Sequence, residues 1–257
     1  GLPYAFIQTA DQNLLKVPEG WDKSLKLSNN ITVIENTDKT YLVSTSVMDL
    51  VASIDAMDSI AFSGTKASDW DIKEAKEAMK TKKIAYAGKY SAPDYELLLS
   101  SGCNFAIENT MIYHTPQALE KLQEISIPVL VEQSSYESNP LGRLEWIKLY
   151  GVLFDKEAEA DLVFNEQVKR VDAVEGLNKT DKIVAFFSIN SNGQIVVRKP
   201  GDYISKMIEM AGATYVPTGI GYTEDNALST MKITTEDFYV GAVDADILIY
   251  NSTIEGE

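Results

Sequence analysis

Two glutamates stand in near-copies of one short unit, about 140 residues apart. The first copy is Pro93-Asp94-Tyr95-Glu96, then the apolar turn Leu97-Leu98-Leu99, then the strand-like run Asn104-Phe105-Ala106-Ile107. The second is Thr234-Thr235-Glu236-Asp237-Phe238-Tyr239-Val240, then Asp246-Ile247-Leu248-Ile249-Tyr250. Each puts a carboxylate in the first turn of a short helix that leads into a buried strand. Exposed N–H groups and the helix dipole favour an acid there by about 0.3–1 kcal/mol. Helix chemistry alone therefore explains either glutamate singly. A repeat of the whole unit points further, to two related lobes that each present one glutamate.

Arginine is the second informative choice. Only Arg143, Arg170 and Arg198 occur among 23 basic residues. Arginine's planar fork suits bidentate pairing with carboxylate, phosphate or catecholate-type oxygens. Arg143 and Arg198 lie far apart in sequence, and the reading assigns one to each lobe. For each alone, the alternative is an internal salt bridge that fixes a helix. His114 is the only histidine. It could give one axial contact to iron or cobalt, but it cannot build a zinc or manganese site by itself. The single Cys103 allows no internal disulfide and reads as a small buried residue. No resident metal or cofactor is expected.

Enzymatic patterns are weak. Ser63-Gly64-Thr65-Lys66 matches S-x-x-K, but no partner motif follows it. Gly219-Ile220-Gly221 lacks the strand–turn–helix setting of a dinucleotide loop. Asp244 and Asp246 sit at strand edges and read as solvated. No catalytic residue is assigned. An α/β enzyme with its site in an interlobe cleft is the alternative, and it would need a nucleophile–base pair within hydrogen-bond reach.

The elements that must position these groups alternate. Residues 1–30 carry two short extended runs, Tyr4–Ile7 and Leu14–Val17, around a turn at Asp11-Gln12-Asn13. Strands are expected at Ile31–Ile34, Ser59–Phe62 and Pro128–Val131, with helices over Val47–Met57, Asp71–Lys80, Pro116–Glu124 and Leu141–Leu153. Thr115 and Pro116 supply the cap and first turn of one of them. Such alternation predicts a parallel sheet covered on both faces. Lys156–Leu177 reads as one long helix, capped by Asp155, with Ala160, Phe164, Val168, Val171 and Val174 on one face. Beyond it come the strand Lys182–Phe187, a hairpin turn at Asn192-Gly193, the return strand Gln194–Arg198 and a helix from Pro200 to Ala211 ended by Gly212. The expected division is an N-terminal lobe over 1–154, a linking helix over 155–177 and a C-terminal lobe over 178–257.

A ligand cleft is expected where loops converge beyond the carboxyl ends of the strands. Ser63–Lys66, Asn109–His114 and Gln133–Tyr136 meet that condition, as do Asn190, Arg198 and Tyr222. The candidate ligand contacts are Lys66, Trp70, Tyr113, His114, Tyr136, Arg143, Arg198 and Tyr222. Together they offer aromatic, hydroxyl and cationic groups, fit to stack a flat or bulky ligand and pair with its negative charge. Trp146, in mid-helix, reads as packing.

Composition bounds the partners. The net charge of −15 excludes nucleic acid, which needs clustered Lys and Arg. Hydrophobic residues make up 45% of the chain, enough for real cores. No run approaches the roughly 20 apolar residues of a membrane span, and no signal peptide is visible at Gly1. A processed or trimmed export product fits these features, and so does a cytoplasmic protein.

Three stretches together carry a family resemblance: Ser91-Ala92-Pro93-Asp94-Tyr95-Glu96, Ser135-Tyr136-Glu137-Ser138-Asn139-Pro140-Leu141-Gly142-Arg143-Leu144-Glu145-Trp146-Ile147-Lys148, and Arg198-Lys199-Pro200-Gly201-Asp202-Tyr203. With the long helix, they make residues 31–250 resemble the solute-binding proteins of ABC importers for cobalamin and iron–siderophore complexes. The resemblance implies an α/β fold of two Rossmann-like lobes with mainly parallel sheets, joined by one long helix that permits only slight closure. It implies that ligand sits between the lobes and that Glu96 and Glu236 dock on arginines of the membrane permease. The family's last strand and helices have no counterpart here, so the second lobe is expected to be incomplete.

The expected function is therefore non-catalytic capture of a metal chelate for delivery to an ABC importer. A ferric siderophore comes first, a corrinoid second, and haem third with Tyr113 or His114 as axial ligand. A carrier of bare metal ions would need more histidines, and a surface adhesion or sensor domain would not need both glutamates. The expected state is a monomer outside the cytoplasm, periplasmic or held at the cell surface by a lipid anchor that precedes Gly1.

Overall fold

The computed structural model describes residues 6–9, 14–16, 31–175, 179–220 and 230–251. Its contacts divide the chain into two units, Gly1–Gln133 with Ile147–Val163 and Ser134–Trp146 with Phe164–Glu257.

The first unit begins with an antiparallel sheet of β1 (Phe6–Thr9), β2 (Leu14–Lys16) and β3 (Ile31–Ile34), in which β1 lies between the other two. Its main sheet comprises β4 (Thr40–Leu42), β5 (Ile60–Ser63), β6 (Ala85–Tyr86), β9 (Phe105–Asn109) and β10 (Val129–Glu132), interleaved with α1 (Thr45–Ser53), α2 (Lys73–Lys80), α3 (Tyr95–Ser100) and α4 (Pro116–Glu124). The strand order is β10-β9-β4-β5-β6 and every pair is parallel. Strands β4 and β10 are buried at every position, as a sheet covered on both faces requires. Tyr41, Ala106, Val129 and Val131 pack with Leu98 of α3 and Ala118 and Leu122 of α4. Successive side chains alternate between faces, so Phe105 and Ile107 of β9, both fully buried, point to the opposite side.

A two-stranded ribbon of β7 (Gly88–Lys89) and β8 (Ala92–Pro93) delivers the chain to α3. Gly88 has φ +83°, and a Cβ there would meet the Ala92 carbonyl oxygen at 2.2 Å. Only glycine fits, so the approach to Glu96 is fixed by one residue.

Helices α5 (Pro140–Leu153) and α6 (Glu157–Glu175) follow. At 19 residues, α6 is the expected long helix, about 28 Å from end to end. The boundary between the units falls inside it, after Val163, and also inside α5, after Trp146. The first turns of α5, expected in the N-terminal lobe, thus group with the second unit.

The second unit is built on β11 (Ile183–Ile189), β12 (Ile195–Arg198), α7 (Tyr203–Met210), β13 (Thr214–Val216), β14 (Thr230–Ile233), α8 (Thr235–Ala242) and β15 (Ile247–Tyr250). Its sheet is mixed: β13 and β15 run parallel to β11, while β12 pairs antiparallel with both β11 and β14. The Asn192-Gly193 hairpin explains the antiparallel part, with Gly193 at φ +75° and the Asn190 side chain accepting from the N–H groups of Asn192 and Gln194. Ile195, Val197 and Ile233 form a small core with Phe187 and Phe238, whose ring centroids lie 4.6 Å apart.

The second repeated unit departs from its expectation at the strand. Where β9 is sandwiched between β10 and β4, β15 pairs among the described residues with β11 alone, and all four of its residues are exposed. Asp246, read from sequence as solvated, instead ties β15 to its neighbour. It accepts from Lys182 Nζ at 2.8 Å and from the Ile183 N–H at 2.9 Å, and the Lys182 contact holds its carboxyl below the ordinary range.

Candidate ligand and docking sites

Within the first unit, the carboxyl ends of the parallel strands release the expected loops. Beyond β5, the Ser63 hydroxyl donates to the Thr65 carbonyl at 2.9 Å and accepts from the Thr65 N–H and from Trp70 Nε1 at 3.0 and 3.2 Å. Ser63 is fully buried. These bonds occupy it as the brace of a turn, which removes the S-x-x-K nucleophile reading. They also correct the assignment of Trp70, which is 3% exposed with its one polar atom bonded to Ser63. Trp70 is a core residue under the loop, not a ligand surface. Lys66 is exposed above it, its Nζ 5.9 Å from the centre of the Tyr86 ring.

Beyond β9, Asn109 accepts from the Met111 N–H at 3.0 Å and starts a 3-10 turn over Thr110–His114. That turn buries Ile112 and leaves Met111, Tyr113 and His114 exposed. The Tyr113 hydroxyl accepts from Gln133 Nε2 at 3.2 Å, which joins this turn to the end of β10. An aromatic ring, a thioether and an imidazole thus share one short turn. Among the described residues, no group of three or more His, Cys, Asp or Glu side chains could hold a metal ion.

Within the second unit, Tyr136 is exposed on a short 3-10 turn. Asn139 accepts from the Leu141 N–H at 2.8 Å as α5 begins, and Trp146 Nε1 donates to Glu137 Oε1 at 3.1 Å, so Trp146 braces this segment. One turn along, Arg143 lies over the Tyr203 ring, 4.4 Å from its centroid. Arg198, at the end of β12, sits with Nη1 3.5 Å from Asp202 Oδ2. Asp202 is 1% exposed and caps α7 by accepting from the Ile204 N–H at 2.9 Å. Burial pushes its carboxyl above the ordinary range, while the Ile204 N–H and the charges of Arg198 and Arg143 pull it down. The two arginines therefore belong to one unit and one cluster, not to one lobe each. Tyr222 lies outside the described residues.

The docking candidates are the most regular feature. Asp94 caps α3 by accepting from the Leu97 N–H at 3.0 Å, and Thr234 caps α8 by accepting from the Asp237 N–H at 3.0 Å. Glu96 and Glu236 each stand second in the helix, and both are exposed.

Sequence reasoning passed over two functional pieces. Strand β4 lies at the centre of the first sheet but has only three residues, too few for a periodic signal. Asp202 stands just before an apolar-periodic helix, and that position is its cap signal in the sequence.

No protein-family model matches the chain. An uncharacterized lipoprotein of Methanocaldococcus jannaschii is 25% identical over 197 residues, 73% of this chain and 44% of that protein. The chain thus spans less than half the length of this curated relative. Among solved structures, a periplasmic binding protein of Veillonella parvula matches with a TM-score of 0.70 and 16% identity over 100% of this chain and 79% of that one. The periplasmic haem-binding protein of Vibrio cholerae matches with a TM-score of 0.65 and 17% identity, over 83% and 76% of the two chains. The periplasmic catecholate-siderophore binding protein of the same organism gives 0.63 and 14%, over 87% and 75%. At these identities the likeness is one of fold, and the fold is that of the periplasmic solute-binding proteins.

Proposed function

We propose that this protein is a non-catalytic, extracytoplasmic solute-binding protein that captures a metal chelate and delivers it to an ABC importer. The carrying observation is the matched placement of Glu96 and Glu236, each exposed at the second position of a capped helix, on a fold shared with periplasmic binding proteins. Two acidic knobs at the same helical position suit a permease with two equivalent basic sockets. Helix N-termini add no specificity, but a carboxylate is favoured there by the exposed N–H groups.

The ligand we assign is a ferric siderophore, with a corrinoid and haem behind it. The arginine cluster and the exposed aromatic residues support a bulky anion, and binding proteins of related fold are named for catecholate siderophore and for haem. Lys66, Tyr113, His114, Tyr136, Arg143 and Arg198 remain the proposed contacts. The similarity to a lipoprotein supports attachment at the outer face of a membrane by a lipid, with the binding protein a monomer. Among the described residues, no helix is long and apolar enough to cross a membrane.

The test is native mass spectrometry and a visible spectrum on protein purified without refolding, then titration with ferric siderophores, cobalamin and haem. A coloured stoichiometric complex, or saturable binding at micromolar levels or tighter, names the ligand. Folded protein that binds none of them overturns the chelate assignment.

A further inference from the structure

We propose that each docking helix carries an apolar anchor beside its glutamate, Leu99 on α3 and Tyr239 on α8, and that the permease pairs an apolar pocket with each basic socket. This deepens the docking reading of Glu96 and Glu236 and rests on it.

The two helices correspond position by position. Glu96, Leu98 and Leu99 stand to Asp94 as Glu236, Phe238 and Tyr239 stand to Thr234. The Leu98 N–H donates to the Asp94 carbonyl at 3.0 Å, and the Phe238 N–H donates to the Thr234 carbonyl at 3.0 Å. Leu98 is fully buried in the core of its unit, and Phe238 packs on the core of the other. One inward side chain thus secures each helix. The next residue turns away, because successive helical side chains stand about 100° apart. Leu99 is 59% exposed and Tyr239 is 70% exposed.

A single exposed apolar residue is ordinary and calls for no partner. Recurrence at one position is what carries the inference. Both residues stand three after a glutamate that is itself exposed, and i and i+3 side chains are neighbours on one helix face. On α8 the face continues through Val240 and Val243, both exposed, four and seven residues past Glu236. Each helix therefore shows solvent a carboxylate and an apolar group side by side. The backbone holds the first pair in place: the Leu99 carbonyl accepts from the Gly102 N–H at 3.1 Å, in a turn that puts Gly102 at φ +75°.

The two groups do different work in a docked complex. A charge at the rim steers encounter and is screened by salt. Apolar area buried beside it is far less sensitive to salt and acts mainly on dissociation. A leucine side chain or a tyrosine ring taken out of water changes affinity about tenfold or more.

The experiment measures association with the ABC importer held in nanodiscs, by surface plasmon resonance at about 0.05 and 0.5 M salt. It compares wild type with Leu99→Gln, Tyr239→Gln, Glu96→Gln and Glu236→Gln, with Leu99→Met and Tyr239→Phe as conservative controls. Thermal unfolding and chelate titration are read on each variant. The expected result is dissociation about tenfold or more faster for Leu99→Gln and for Tyr239→Gln at both salt levels. Unfolding temperature and chelate affinity stay unchanged, and the methionine and phenylalanine controls bind near the wild-type level. The two glutamate variants instead slow association, a loss that shrinks at high salt. Wild-type dissociation by either Leu99→Gln or Tyr239→Gln, beside weakened glutamate variants, overturns the anchors and leaves the docking reading standing. A lowered unfolding temperature in either one shows that the side chain serves its own unit, and overturns the anchors as well. Wild-type binding by all four glutamine variants overturns both readings.

Discussion

Glu96 and Glu236 occupy the same helical position. Each is the second residue of its helix, two residues past a capping side chain that accepts the N–H of the following residue at 3.0 Å. The copies are not identical in detail, since Thr234 Oγ1 also donates to Asp237 Oδ2 at 2.7 Å, a contact for which Asp94 has no hydroxyl. The shared geometry is what a docking pair requires: outward carboxylates on rigid, capped helix starts.

Charge reversal of either glutamate should therefore separate docking from binding. Glu96→Lys or Glu236→Lys is expected to leave chelate affinity unchanged while lowering uptake about tenfold or more in vesicles that carry the importer, because each sets like charges face to face. Wild-type uptake by both single variants would remove the docking role.

The caps make a second expectation. Asp94→Ala and Thr234→Ala should each cost about 1 kcal/mol in urea unfolding, the usual value of a lost helix cap. Asp94→Asn and Thr234→Ser keep an acceptor and should recover most of it. If alanine costs nothing at Thr234, the start of α8 is held by something other than its cap.

How much of this was legible depended on the kind of signal. Long helices and hairpins announce themselves: the 19-residue α6 lacks Gly and Pro, and Asn192-Gly193 marks its turn. The helix starts that present Glu96 and Glu236 were legible for the same reason, since caps are local chemistry. What failed was non-local. Strand β4 is three residues whose burial is decided by neighbours far along the chain. Nothing in the sequence order says that α5 begins in one unit and ends in the other, or that Arg143 would meet Tyr203 rather than stand in the opposite lobe. Trp70 could be read as cleft or core, and only the position of Ser63 decides for core.

Trp70→Phe tests that decision. The ring remains, while the 3.2 Å bond from Nε1 to the Ser63 hydroxyl is lost. The expected cost is about 1 kcal/mol of stability, with chelate affinity unchanged. An affinity loss without a stability loss would return Trp70 to the ligand surface.

Glu108 gives the protein a pH dependence of stability. It lies in β9, fully buried, paired in register with Val131 and close to Tyr41 and Tyr95. Neither carboxyl oxygen has a hydrogen-bond partner among the described residues. Burial pushes its pKa up to about 8, whereas in the unfolded chain it ionises near 4.3. Between those values the folded state holds a proton that the unfolded state has released. Stability from this group is thus intact below about pH 4, falls as pH rises through the window, and is lost above about pH 8. The linkage amounts to roughly 3–5 kcal/mol. Glu108→Gln keeps the shape and cannot ionise, so its unfolding free energy should vary less between pH 5 and pH 8.5 than that of wild type. The readout is the difference between the two pH slopes, which cancels the other carboxylates and any constant cost of burying an amide. Parallel slopes would mean that Glu108 is not held neutral in the folded protein.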